Sequence, residues 1–213
     1  MTKKLHTKYK VGTKVVPSVT TVIANLGWNK NALMAWAKRM AAGGDDPDAI
    51  KSEAASIGTL THKMVEDHIN GNPTNTFIYS GHDIEKASLG YNAFLDWESQ
   101  HQPKYLETEL QLSAPTYFYG GTIDLIVEMH GQKGIIDLKT SSGIYPEHII
   151  QLAAYHHLYQ DNFFEDKLEF WAILKLDKKT GDFNYMNISK EQINLAFEVF
   201  LSLLDIHKLK GTF

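Results

Sequence analysis

Apolar residues recur at helical spacing through most of the first hundred positions and again at the end of the chain, with two-residue alternation between. Residues 31–42 carry Leu33, Trp36, Ala37 and Met40 on one face, with Trp36 expected in a core, and Gly43-Gly44-Asp45-Asp46-Pro47 ends the run. A longer helical stretch is predicted over 48–70, broken near Gly58 and stopped by Gly71-Asn72-Pro73. Residues 82–100 offer Ala87, Tyr91, Phe94, Leu95 and Trp97 for burial. Before all of these, Ser18 after Pro17 is an N-cap candidate for a short helix to about residue 26. Strand patterning dominates 105–140, interrupted at Ser113-Ala114-Pro115-Thr116. A helix carrying Gln151 and Tyr155 follows, then a hairpin of 168–177 and 183–188 around Lys178-Lys179-Thr180-Gly181. The last helix, 191–209, turns Ile193, Ala196, Phe197, Phe200, Leu201 and Leu204 inward. This order predicts an α/β fold, a central mixed sheet flanked by helices, in one domain over 1–213. Its first part, 1–100, is mainly helical, and 101–213 holds the sheet core and the final helix.

Polar residues interrupt the strands at telling places. In Ile123-Asp124-Leu125-Ile126-Val127 and Ile135-Ile136-Asp137-Leu138-Lys139, Asp137 and Lys139 are two apart and share a face. Closing the hairpin symmetrically about Gly131 and Gln132 pairs Asp124 with Lys139 and Ile126 with Asp137, so that all three converge. A slip of one residue would turn Asp124 away. Two carboxylates and an ammonium among Ile, Leu and Val are costly unless they pair or hold a cation. Two readings follow: an internal Asp–Lys ion pair, or a site built to cut a phosphodiester. For the second, the aspartates are hard oxygen ligands suited to magnesium or manganese, and the carbonyl of Leu138 offers a third oxygen. His62 and Glu66 stand four apart on a predicted helix and project together toward the sheet. Glu107 and Glu109 share a face of the strand over 106–112, and alternation does not choose between them. Gln151 and Tyr155, also four apart, either support such a site or form a packing face. His156 and His157 diverge by roughly a third of a turn, too far to share an ion, and are expected at the surface or in the core.

Five blocks stand in a distinctive order: Gly58-Thr59-Leu60-Thr61-His62 with Glu66, then Glu109, Gly121-Thr122-Ile123-Asp124, Asp137-Leu138-Lys139-Thr140, and Gln151-Leu152-Ala153-Ala154-Tyr155. The set resembles the PD-(D/E)XK nuclease superfamily and, within it, the RecB-type exonucleases. The opening Pro17-Ser18-Val19-Thr20-Thr21-Val22-Ile23 is similar to the start of the mitochondrial genome maintenance exonuclease and its phage relatives. The resemblance runs from about residue 17 to 155, and the C-terminal third carries no matching motif. It implies a restriction-endonuclease-like core with the active site along the sheet edge and a helical N-terminal region arching over it. It further implies a magnesium- or manganese-dependent DNA exonuclease acting on single-stranded DNA or DNA ends, in repair, recombination or phage DNA metabolism. One or two ions would be held by His62, Asp124, Asp137 and the Leu138 carbonyl. Lys139 would orient or help deprotonate the attacking water. Glu109 is favoured over Glu107, with Gln151 and Tyr155 in support. Substrate contacts would come from Ser18, Thr20, Thr140, Ser141 and Lys14, although Ser18 serves equally as a cap alone. Tyr9, Trp28 and Trp36 are available to stack on bases along the strand's path. An endonuclease on the same core, and a nucleic-acid-binding protein that kept only the fold, are the alternatives. The intact Asp124, Asp137 and Lys139 set speaks against the second.

Composition narrows this further. The 213 residues include no cysteine, which excludes a disulfide framework, a thiolate zinc site and the iron–sulfur cluster of some RecB-type relatives. Met1-Thr2-Lys3-Lys4 precedes no apolar run of signal-peptide length and no stretch approaches a membrane span, so a cytoplasmic location in a bacterium or phage-infected cell is expected. The net charge of −4 is ill suited to a nucleic-acid partner, but it is unevenly distributed. Residues 1–40 hold eight basic side chains (Lys3, Lys4, Lys8, Lys10, Lys14, Lys30, Lys38, Arg39) and no acid, leaving 13 basic against 25 acidic residues, a net of −12, for the remainder. A basic leading segment opposite an acidic metal site is the arrangement that phosphate binding requires; a lysine-rich tail that only aids solubility is the plainer account.

Overall fold

The alternating stretch in the middle of the chain forms an antiparallel meander in the computed structural model, which describes residues 7–210 and 212. Its strands are β3 (Lys104–Ala114), β4 (Tyr119–Met129) and β5 (Gln132–Lys139), following β1, β2 and helices α1 to α4 in chain order. Lys3 and Lys4 of the basic run lie outside the described residues. From β5 the chain crosses over through α5 (Pro146–Asn162) and returns parallel to it as β6 (Phe170–Leu176). A hairpin adds β7 (Phe183–Ile188), giving a five-stranded mixed sheet of order β3-β4-β5-β6-β7. The predicted α/β architecture, a central mixed sheet flanked by helices, is the one observed.

Two apolar layers identify the faces. One face packs Ile126, Ile135 and Ile173 against α1 (Val19–Ile23), α5 and α6 (Lys190–Lys210). The other packs Leu125, Val127, Ile136 and Leu174 against α3 (Pro47–Ile69) and α4 (Gly81–His101) through Val65, Phe94 and Trp97. Side chains of this size each contribute about 1.5–3 kcal/mol when fully buried. In α6 the inward set is as patterned, except that Leu203 is buried where Leu201 is only half-buried. No helix among the described residues is long and apolar enough to cross a membrane.

Four expectations need correction. The β4–β5 turn is two residues, His130-Gly131, with Met129 opposite Gln132. Both turn residues have positive φ (53° and 77°), the conformation that matches the twist of the flanking strands and so outcompetes a turn centred one residue later. Consequently Leu125 faces Ile136, and the register sets Asp124 level with Asp137 rather than Lys139. Second, α3 is unbroken at Gly58. The glycine is there for close approach: a Cβ would lie 2.8 Å from Thr140 Oγ1, so the helix can pass tightly over the end of β5. Third, α2 (Lys30–Ala42) buries none of its residues, and Trp36 is half-buried beneath the Lys51 ammonium, 5.8 Å from the ring, rather than in a core. Its apolar positions 33, 36, 37 and 40 make too narrow and interrupted a stripe to seat it on the body. Fourth, the start of the leading segment, for which no element was predicted, forms a small hairpin, β1 (Tyr9–Val11) with β2 (Lys14–Val16).

Candidate active site

Three acidic residues lie in a row across three strands. Thr108 pairs with Leu125 and Leu110 with Ile123, so the residue between, Glu109, is level with Asp124, which the next ladder sets level with Asp137. Neither of these crossings is itself a paired position. Instead the Leu138 N–H donates to Asp124 Oδ2 at 2.7 Å, and Glu109 adopts a left-handed φ of 49°. A non-glycine residue in that region is uncommon and marks local strain. The sheet thus opens where its carboxylates gather, and the site spans the edge strand β3 and its neighbours β4 and β5.

Helix α3 completes the group from above. His62 Nδ1 is 3.6 Å from Asp124 Oδ1, and single donor atoms of His62, Glu109 and Asp124 all lie within 4.8 Å of one another. Lys139 forms an ion pair with Asp137, which is 1% exposed. The other oxygen of Asp137, Oδ1, is buried without a hydrogen-bond donor. Two carboxylates and an imidazole gathered in this way, His62, Glu109 and Asp124, are a donor set that a hard divalent cation would satisfy, and Asp137, expected as a further ligand, lies outside that group of three. Glu107, by contrast, pairs with Ile126, is exposed and lies outside the group, which separates two glutamates that alternation left equivalent.

The electrostatics follow from burial and crowding. Burial disfavours charge on both His62 and Asp124, yet each outweighs that penalty for the other: Asp124 holds the imidazole above its ordinary range, while His62, Lys139 and the Leu138 N–H hold the Asp124 carboxyl below. Asp137 goes the other way. Burial pushes it up to about 6, against the pull of Lys139 and with Asp124 adding to the rise. A cation close to these oxygens would favour ionisation of both aspartates.

The group opens into a cleft of about 1050 Å³. One face of α3 supplies a wall through Gly58, Thr59, His62, Lys63 and Glu66, and Glu66 is paired with Lys63 at 3.2 Å. Ser18, Thr20 and Thr140 also line it. Ser18 caps α1 as expected, accepting from the Thr21 N–H at 3.1 Å. Ser141 and Lys14 are not among the lining residues: the Ser141 hydroxyl donates to the Gly143 carbonyl at 2.7 Å, and Lys14 lies over the Phe118 ring. Opposite α3, Gln151 Nε2 donates to the Tyr155 hydroxyl at 2.9 Å. Tyr155 reaches that place because Gly121 leaves room for it, a Cβ there falling 2.6 Å from the ring. The expected i, i+4 pair is therefore a bonded unit, of which Tyr155 lines the cleft.

Tyr9, one of the aromatics read as available for stacking, is delivered by the β1–β2 hairpin; it lines the cleft and shares a 2.7 Å hydrogen bond with Thr122, two residues before Asp124. One residue near the site was not anticipated. His148 has its pKa lowered to about 4, by burial and then by the nearby Lys139 charge. Its spacing to Gln151 and Tyr155, three and seven residues, is a helical face legible in the sequence. His156 and His157 are half-buried, packing against Trp171 and Phe197.

No protein-family model matches the chain, and no curated protein does. Among solved structures, it is similar to a candidate exonuclease from Eubacterium rectale, at 15% identity and a TM-score of 0.49 over 68% of this chain and 64% of that one. The chain therefore spans less than two thirds of that protein's length. It is also similar to an alkaline exonuclease, LHK-Exo, from Laribacter hongkongensis, at 15% identity and a TM-score of 0.39, covering 76% of this chain and 90% of that one. The same protein in complex with dAMP gives a TM-score of 0.38 at 15% identity over the same shares, 76% and 90%.

Proposed function

We propose that the chain is a divalent-metal-dependent deoxyribonuclease with a restriction-endonuclease-like core, acting as an exonuclease on single-stranded DNA or DNA ends. The observation that carries this reading is the row Glu109, Asp124, Asp137, in which Lys139 pairs with Asp137 while Glu109 and Asp124 join His62 in the wall of a large cleft. A cluster of three carboxylates, one of them nearly sealed from solvent, is expensive to maintain as an ion pair alone. Such a set has an evident use around magnesium or manganese.

His62, Glu109 and Asp124 would hold the ion, and Asp137, whose Oδ1 has no hydrogen-bond donor, is a further candidate ligand. When bound, the ion supplies an activated water and neutralises charge on the phosphate oxygens. The chain's own residues do the rest. Lys139, between Asp137 and the Asp124 side, stabilises charge that builds on the phosphate during cleavage and orients the attacking water. Tyr155, braced by Gln151, fixes the floor on which the strand rests. Ser18, Thr20 and Thr140 offer hydroxyls to the backbone at the cleft walls. The setting is DNA repair, recombination or phage DNA metabolism, in the cytoplasm of a bacterium or phage-infected cell.

Incubation with magnesium or manganese of circular and linear DNA, single- and double-stranded and labelled at either end, tests this directly. Linear single strands should be consumed from one end and circles spared, with no cutting in EDTA. Cutting of closed circles would make it an endonuclease. An absence of cutting with either metal would overturn the reading.

A further inference from the structure

Next to the metal-facing cleft lies a second concavity of about 700 Å³, bounded by the α1–α2 connection, the start of α5 and the end of α6. The two are linked. Thr20 lines both, and Gln151, in the wall of the second, donates its 2.9 Å hydrogen bond to Tyr155, in the wall of the first. The second concavity holds an indole with 60% of its surface bare, Trp28, and beside it Leu33, 48% exposed. Tryptophan is highly buried on average, so one left this open beside a candidate site needs a partner. Two cations flank it, Lys30 and Lys210, both exposed. The one acid in the lining, Glu147, is engaged by the side-chain amide of Asn29.

An aromatic face between lysines and continuous with a phosphodiester-cutting cleft suits one kind of occupant. We propose that this groove holds the unpaired part of the DNA strand on its way through the cleft, with a base stacked on Trp28 and backbone phosphates on Lys30 and Lys210. The proposal rests on the nuclease reading above and adds to it a basis for preferring single strands. Every base presents a π-face, so such stacking is tolerant of sequence. In a duplex those faces are already occupied by neighbouring pairs, which leaves Trp28 nothing to bind.

Fluorescence anisotropy of a labelled oligothymidylate and of a duplex of equal length, in calcium so that the DNA stays intact, tests the groove. Trp28→Ala should weaken single-strand binding about five- to a hundred-fold. Trp28→Phe should recover most of the loss, since it restores a ring. Phe164→Ala, removing an aromatic that is 82% exposed but outside both concavities, should change nothing. Lys30→Ala with Lys210→Ala should flatten the log–log salt dependence by about 0.7 for every phosphate no longer neutralised. If the wild type cuts DNA and Trp28→Ala binds single strands as tightly, the groove is not the strand's path. An equal loss on single strand and duplex would overturn the preference for unpaired DNA. A wild type that cuts nothing removes the underlying reading first, before any variant is compared.

Discussion

Lys139 is the residue on which chemistry and architecture can best be separated. It is paired with Asp137 and near enough to Asp124 and His62 to influence their charge, but the paired strand positions around it do not depend on its ammonium. Lys139→Ala should leave the fold and DNA affinity largely intact and slow cleavage about 10²–10⁴-fold, because what it removes acts on the transition state. Single-turnover kinetics beside anisotropy would show this; unchanged rates would deny it a catalytic role. Asp124, Asp137, Lys139 and His62 were legible in the sequence, since charged residues at alternating positions of apolar strands stand out. Even the misjudged turn did little harm, because moving the partner of Asp124 from Lys139 to Asp137 is a shift of two, which preserves the facing of an alternating strand. Glu109 was different. Alternation set it on one face with Glu107, the resemblance alone favoured it, and what distinguishes it in the fold is the β3–β4 register that brings it level with Asp124.

Among the elements, α5 ties the site to the core. Its inner surface carries Tyr155 toward the cleft and, further along, His156 and His157 against Trp171 and Phe197, with the His157 and Phe197 rings stacked 3.5 Å apart. Burial lowers their pKa values to about 3 for His156, where the His157 charge adds to the effect, and about 4 for His157. Since both folded values lie below the ordinary 6.5, the two neutral rings contribute stability above that pH, and it is lost as pH falls from there toward 4 and 3. His157→Phe, which keeps the stack and removes the titration, should give a thermal midpoint that declines less steeply than the wild type's between about pH 6.5 and 4. A parallel decline would mean that these rings are not what acid attacks. The long elements were readable because ten or more residues repeat a period. The β1–β2 hairpin was not, since three residues per strand are too few to show one, and α2 looked more amphipathic than its exposed surface proves.

For the molecule as a whole, charge asymmetry is the property with the widest reach. Among the described basic residues of the leading segment, Lys8, Lys10 and Lys14 on and beside the β1–β2 hairpin are all exposed, while the cleft that Thr7 and Tyr9 line beside them is acidic. Replacing the three with alanine should weaken DNA binding and reduce its log–log salt slope on a single strand by about 0.7 for each lysine that had met a phosphate, as read by anisotropy over a salt series. A slope identical to the wild type's would leave the hairpin a purely structural flap. The fold class followed from the order of periodic segments, but the strand order did not, because the parallel β5–β6 pairing joins segments thirty residues apart through a helix and leaves no local trace. One further consequence reaches across lineages. Asp124 staples two strands with one oxygen and greets His62 with the other, so stability and reactivity are invested in a single side chain. A descendant released from selection for cutting would be free to shed Lys139 or His62 early, while position 124 would keep an aspartate or an asparagine, the residues able to go on accepting that amide. The pattern of decay among inactive cousins would then read as a fossil of which half of the site also holds the molecule up.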